Sequence, residues 1–248
     1  MSIYAVANLK GGIGKTATAQ ALGAGLALNG KRVLLIDLDN QLDLTIATGK
    51  AIPAPSVTAY EVIIGQADIT KAIIPIKDNL DILPASDRLS ILERTLTDTG
   101  KEFKLKEALA PILGSYNAVV IDCPPSLDIR TLNALTVANY LVLPAKGDLF
   151  SLQATNQTLE AVATIRRYTN PEIKVAGILL TQFNPRTVLH PYYRELLGST
   201  QGIKIFASTI RNSVAIAEAQ ANMQDIFSYA PKSKVAEDYR IFIKELLA

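Results

Sequence analysis

Seven residues near the start of the chain, Lys10-Gly11-Gly12-Ile13-Gly14-Lys15-Thr16, have the composition of a phosphate-binding loop. Glycines let a backbone come close to an anion and turn its N–H groups toward it. A lysine at position 15 supplies a cation for β- and γ-phosphates, and a hydroxyl at position 16 is a natural Mg²⁺ ligand. The loop follows a short apolar run at residues 2–8 and opens an Ala/Leu-rich helical stretch at 16–29 that ends at Gly30. Strand, glycine loop and helix in that order form the context in which a helix N-terminus holds phosphate. The candidate nucleotide-binding set is Gly11, Gly12, Ile13, Gly14, Lys15, Thr16 and Ala17. The general pattern Gly-x4-Gly-Lys-Ser/Thr asks for glycine at position 9, where this chain has Leu9; a second lysine, Lys10, follows it.

Phosphoryl transfer also needs acids that hold a metal ion and orient water. In open parallel sheets they belong at the C-terminal ends of strands. Val33-Leu34-Leu35-Ile36-Asp37-Leu38-Asp39 and Ala118-Val119-Val120-Ile121-Asp122 each end four apolar residues in a carboxylate. One such acid also suits a plain strand end or a helix cap. Two beside a phosphate loop point to chemistry, and the candidates are Asp37, Asp39 and Asp122.

These side chains need a scaffold. Strand-length apolar runs at 2–8, 32–38, 80–84, 118–122, 140–144, 175–181 and 203–206 alternate with helical patterns at 16–29, 90–114, 152–168, 188–197, 215–222 and 235–247. Such alternation predicts an α/β fold, a mostly parallel twisted sheet flanked by helices, in a single domain over residues 1–248. The proline-containing stretch 51–58 reads as a loop inside it. One cysteine and one histidine, Cys123 and His190, exclude a disulfide framework, a cysteine-only metal site and a histidine triad; Cys123 reads as a small strand-end residue and His190 as a surface or helix residue. No apolar run reaches the roughly 18 residues that cross a bilayer. The first residues lack a basic segment followed by an apolar one, so a cytoplasmic protein is expected. The net charge of +2 decides nothing about nucleic acid, although its positive excess lies in the C-terminal third.

The glycine loop with its extra lysine, KGGxGK[ST], is the deviant Walker A motif, and the chain resembles the ParA/MinD family of ATPases. Val33–Gln41, VLLIDLDNQ, resembles the family's switch I, usually VLLIDLDPQ. Residues 119–135, VVIDCPPSLDIRTLNAL, resemble its Walker B and switch II segment, usually IIIDCPPSLGLLTLNAL. The resemblance implies a P-loop NTPase fold, ATP and Mg²⁺ as cofactors, weak ATP hydrolysis, and a sandwich dimer in which Lys10 reaches the partner's nucleotide. It implies that Lys15 binds phosphate, that Asp39 orients the attacking water, and that Thr16, Asp37 and Asp122 serve the metal. Asn40 replaces the family's proline and Gln41-Leu42-Asp43 its Gln-Gly-Asn, which implies a less rigid switch loop. Asn184 sits where the family often places a polar residue near adenine; it equally suits a strand-exit cap before Pro185.

Residues 217–220 resemble the family's SEAQ, and 229–239 its YAPKSKGAEDY. Both fit the chromosome and plasmid partition branch. The phosphate loop begins at residue 10, so a preceding helix-turn-helix extension is not expected; the chain is similar to a short ParA. For such a protein the resemblance implies an ATP-dependent homodimer, non-specific binding to nucleoid DNA, and a ParB-like centromere-binding protein that stimulates hydrolysis. The DNA candidates are Arg211, Lys232, Lys234 and Arg240. The alternative use of the scaffold is a MinD-like or cargo-positioning ATPase that needs no DNA. No membrane partner is expected, because residues 236–248 carry balanced charge and read as packed core rather than as a basic amphipathic anchor.

Overall fold

The computed structural model describes residues 1–184, 186, 189–198 and 202–248. Its strands are β1 (Ser2–Val6), β2 (Val33–Asp37), β3 (Ile74–Lys77), β4 (Leu80–Leu83), β5 (Ala118–Asp122), β6 (Tyr140–Ala145), β7 (Lys174–Phe183) and β8 (Ile205–Arg211). They form one eight-stranded sheet in the order β3-β4-β2-β5-β1-β6-β7-β8. Every neighbouring pair is parallel except β3 with β4. This is the expected α/β architecture.

Strands covered on both faces read as continuous apolar runs, and all five residues of β2 and of β5 are buried. The strand pleat sends alternate residues to opposite faces. Ile3, Ala5, Leu34, Ile36, Val119 and Ile121 enter one core; Tyr4, Val6, Val33, Leu35 and Val120 enter the other. The second core is closed by the helix Lys15–Leu28, which follows the glycine loop, and by the C-terminal helix Lys234–Leu247. Val235, Ala236, Tyr239, Phe242 and Ile243 are buried there, so the last helix is packed core, as its balanced charge predicts.

Several readings of the elements change, and the short helices Asp43–Ala47, Ala59–Ile63, Ile69–Ala72 and Ile226–Tyr229 are added. The helix predicted over 90–114 is broken into the short helices Leu92–Thr95 and Lys104–Leu109 with 3₁₀ turns around them. Gly100 takes φ 83° between the pieces, and a residue in that left-handed region stops an α-helix. Strand β3 was not expected, because its sequence Ile-Pro-Ile-Lys carries a proline and little alternation; it lies at a sheet edge, where proline is tolerated. The helix Ile129–Val137 was hidden in the loop after β5. The predicted helix at 188–197 corresponds to Leu189–Gly198; Val188, the side chain of His190 and Pro185 lie outside the described residues.

The helix after the glycine loop is held close to its neighbours. A Cβ at Gly25 would stand 2.3 Å from Ile243 Cδ1 and 3.3 Å from Phe227 Cε2. Gly25→Leu is expected to force the two helices apart and to destabilise the protein by about 1–3 kcal/mol. Urea denaturation checks this, and an unchanged midpoint would contradict the close packing.

Candidate functional site

Strand register assembles the site. β1 and β2 lie on either side of β5, with Val6 opposite Asp122 and Asp37 opposite Asp122. The two acids therefore stand side by side at the C-terminal sheet end, beside the strand that feeds the glycine loop.

The loop is strapped down by its carbonyls. Lys15 Nζ donates to Lys10 O at 2.8 Å, Gln182 Nε2 to Gly12 O at 2.8 Å, and Thr181 Oγ1 to Ile13 O at 2.7 Å. In a planar trans peptide the C=O and the following N–H point in opposite directions. The bonds from β7 to Gly12 O and Ile13 O therefore turn the N–H groups of Ile13 and Gly14 away from β7, while Lys10 O faces the Lys15 ammonium. Gly12 and Gly14 take φ 71° and 80°, which L side chains rarely adopt. Buried Asn8 fixes the loop's start: its Nδ2 donates to Pro144 O at 2.8 Å and its Oδ1 accepts from Lys10 N at 3.1 Å. The resulting cleft, about 660 Å³, is lined by Gly11, Gly12, Gly14, Lys15, Thr16 and Ala17 on one side and by Arg211, Asn212, Ser213 and Gln220 on another. Ile13 is buried beneath the loop.

The acids differ in what they touch. Asp37 Oδ1 accepts from Asp39 N at 3.0 Å; its Oδ2 accepts from Thr45 N at 2.9 Å and Thr45 Oγ1 at 2.7 Å. All these donors belong to the segment after β2, so Asp37 holds that segment in place. Burial pushes its carboxyl up to about 6, against the Thr45 hydrogen bonds. Asp122 is 1% exposed, and neither of its oxygens has a hydrogen-bond partner. Burial and neighbouring Asp37 raise its carboxyl well above the ordinary range, while the Thr16 hydroxyl and Lys15 pull it down. Burial lowers the Lys15 ammonium, opposed by Asp122, Cys123 and Asp39. Asp39 lies on the cleft wall, its Oδ1 accepting from Gln41 N at 3.1 Å.

A buried carboxylate with two unused oxygens fits a cation. No group of three or more His, Cys, Asp or Glu able to hold a metal occurs among the described residues. The donor set of Asp122 and the Thr16 hydroxyl instead suits Mg²⁺, which takes one or two protein oxygens and completes its shell with water and phosphate.

The structure separates the two lysines of the loop. Lys15 is buried at the cleft, whereas Lys10 Nζ pairs with Asp148 Oδ1 at 2.5 Å. Asp148 also accepts from Ser151 N at 2.8 Å and so caps the helix Leu149–Tyr168. Burial would raise the Asp148 carboxyl, but the Lys10 and Ser151 bonds hold it below its ordinary value. Asn184 is exposed and accepts from Arg186 N at 3.0 Å, while Thr181 and Gln182 of the same strand line the cleft. Sequence reasoning missed those two; the only signal was their place at the end of a predicted strand. Arg211 is engaged by Asp238 through Nε at 2.6 Å and Nη2 at 2.7 Å. Arg240 donates to Pro231 O at 2.7 Å and to Glu237 at 3.2 Å. Lys232 and Lys234 are exposed. No described helix is long and apolar enough to cross a membrane.

A family profile described as an AAA domain matches residues 1–175. The chain is 35% identical over 248 residues to the sporulation initiation inhibitor protein Soj of Bacillus subtilis, covering 99% of this chain and 98% of that protein. It is 32% identical over 252 residues to the chromosome partitioning protein ParA of Caulobacter vibrioides, covering 100% and 94%. Among solved structures it resembles cobyrinic acid a,c-diamide synthase from Mycobacterium smegmatis with bound ADP and magnesium, with TM-score 0.88, 33% identity and coverage of 100% and 94%. With relatives of this similarity along its whole length and a phosphate loop at the head of its parallel sheet, the chain belongs to the ParA family of the ParA/MinD superfamily of ATPases.

Proposed function

We propose that this protein is a partition ATPase, one domain over residues 1–248, whose nucleotide state switches its assembly. The observation that carries the reading is the meeting, at one sheet end, of a glycine loop that lines a cleft with Lys15 and the buried carboxylate of Asp122, whose oxygens have no hydrogen-bond partner. The loop amides and Lys15 bind the phosphates of ATP. Thr16 and Asp122 would hold Mg²⁺, with Asp37 fixing the adjoining loop; the bound ion neutralises charge on the phosphates. Asp39 orients the attacking water.

Lys10 sits at the rim of the loop, its side chain 24% exposed, with Leu149 and Phe150 exposed next to its partner Asp148. A second copy laid on that face covers the apolar pair and brings Lys10 to its nucleotide, giving an ATP-dependent homodimer. Non-specific DNA on the nucleoid, in the cytoplasm, is the track. Lys232 and Lys234 offer exposed cations for its phosphates, so the affinity is salt-sensitive. A ParB-like centromere-binding protein stimulates hydrolysis and resets the cycle. The names of the Soj and ParA relatives support the partition cargo. A second reading, a carrier that positions protein cargo without DNA, is favoured by the engagement of Arg211 and Arg240 with the protein's own acids.

Asp39→Ala is expected to slow hydrolysis by about 10²–10⁴-fold and to leave ATP binding intact, so that the ATP-bound dimer accumulates. Light scattering and a DNA-shift assay at rising salt read both effects. A variant that hydrolyses normally removes Asp39 from the mechanism, and a trapped dimer that ignores DNA selects the carrier reading.

Lys10→Ala is expected to keep nucleotide affinity in calorimetry while abolishing ATP-dependent dimerisation; a variant that still dimerises and turns over at the original rate refutes the cross-subunit role. Asp122→Asn removes a buried carboxyl whose oxygens have no hydrogen-bond partner and whose ionisation burial and Asp37 oppose. It is expected to raise the Tm of the nucleotide-free protein and to cancel the extra stabilisation that Mg²⁺ adds to ATP. A lowered Tm with Mg²⁺ dependence retained would contradict the assignment.

A further inference from the structure

The turn that carries Asp39 is closed by its own hydrogen bonds, but two of its residues suit it poorly. Leu42 N donates to Asp39 O at 3.0 Å, closing the four residues Asp39-Asn40-Gln41-Leu42. Leu42 takes φ 61° and ψ 21°, the left-handed region. The commonest four-residue turn favours proline at its second position and glycine at its fourth. Here the second is Asn40, with no preset φ, and the fourth is a leucine in a conformation that a side chain disfavours.

A further contact comes from the segment after β5. Arg130 Nη1 donates to Asn40 Oδ1 at 2.6 Å. The guanidinium is itself fixed: Nε lies 3.1 Å from both oxygens of Asp128, and Nη2 lies 2.5 Å from Oδ2. Asp128 also accepts from Ser126 Oγ at 2.8 Å and, as the cap of the helix Ile129–Val137, from Arg130 N at 2.9 Å. The Arg130 side chain is only 11% exposed. It stands in the first turn of a helix, where the helix dipole disfavours a cation, so its presence there calls for a use. A planar fork with donors on two edges can grip a carboxylate and still offer one N–H to a second loop.

We infer that Arg130 is a positioning residue: with Asn40 it latches the turn bearing Asp39 to the segment that follows Asp122, so that the two loops beside the phosphate site keep one geometry. The kinetic half of this inference rests on the proposed role of Asp39; the structural half does not.

Two measurements separate the halves. In nucleotide-free protein, hydrogen exchange at the amides of residues 41–43 is expected to quicken in Arg130→Ala and in Asn40→Ala, the second of which leaves the helix cap untouched. Arg130→Lys, which keeps the charge and loses the fork, should exchange like Arg130→Ala. Adding Asn40→Pro to Arg130→Ala presets the turn and should restore protection. In steady-state kinetics, Arg130→Ala is expected to lower kcat by about 10–100-fold, as misplacement of a reacting group does, with KM for ATP unchanged and kcat recovered by Asn40→Pro. Unchanged exchange in both single variants overturns the latch, whatever the activity. Faster exchange with full kcat overturns the positioning role, and so does a loss of kcat that comes with a matching fall in ATP affinity and Tm. A wild-type protein that does not hydrolyse ATP instead removes the functional reading, and hydrogen exchange still decides the latch.

Discussion

Two buried carboxylates in neighbouring strands are the constraint around which this molecule is arranged. The parallel register of β2 against β5 puts Asp37 beside Asp122 at the dry end of the sheet. Like charges in such a place oppose ionisation of each other, and burial opposes it further. The fold resolves the conflict unequally. Asp37 is given three donors from the segment that follows it, and Asp122 is given none. One acid becomes part of the scaffold, and the other is left as a binding capacity that the polypeptide does not satisfy itself.

The glycine loop follows the same logic with the opposite charge. Its carbonyls are consumed by Lys15, Thr181 and Gln182. The loop stands at the positive end of the dipole of the helix Lys15–Leu28. Gln182 makes its bond from φ 50°, an unusual backbone for a residue other than glycine. Strain of that kind persists where surrounding structure fixes it, and here it fixes the loop in turn. A glycine loop and a buried carboxylate are thus held next to each other before any ligand arrives, the kind of preorganisation that phosphoryl transfer depends on.

Much of this was legible in the residues. The continuous apolar runs at β2 and β5 marked the buried parallel strands, and the acids at their ends meet at one sheet end because strand direction alone decides which end they share. Lys10-to-Thr16 was legible because its chemistry is local. What sequence could not reveal was whatever depends on register or on distant partners. The distinction between Asp37 and Asp122 needs Thr45, and the strapping of the loop needs β7. Thr181 and Gln182 line the cleft just before Asn184, at a strand exit whose exact place the sequence does not mark. The helix over 90–114 failed for a local reason: its apolar periodicity is real, but Gly100 breaks it into pieces too short to be read as one element.

The departures in the switch loop show how a motif read one residue at a time can mislead. Asn40 and Leu42 each weaken the turn in isolation, which argues for a looser loop. Arg130 lies 90 positions away in sequence and stands in a helix turn that does not favour it. Its cost is offset by Asp128, and its donor reaches Asn40, which a proline could not have matched with a side-chain acceptor. Substitutions in contact do not act independently. The three residues form one unit, in which an intrinsic preference of the turn has been exchanged for a contact between two loops. A turn held by its own backbone stays put whatever its neighbour does. A turn latched by Arg130 also feels the loop after Asp122, so an event that displaces one segment bears on the other through that side chain.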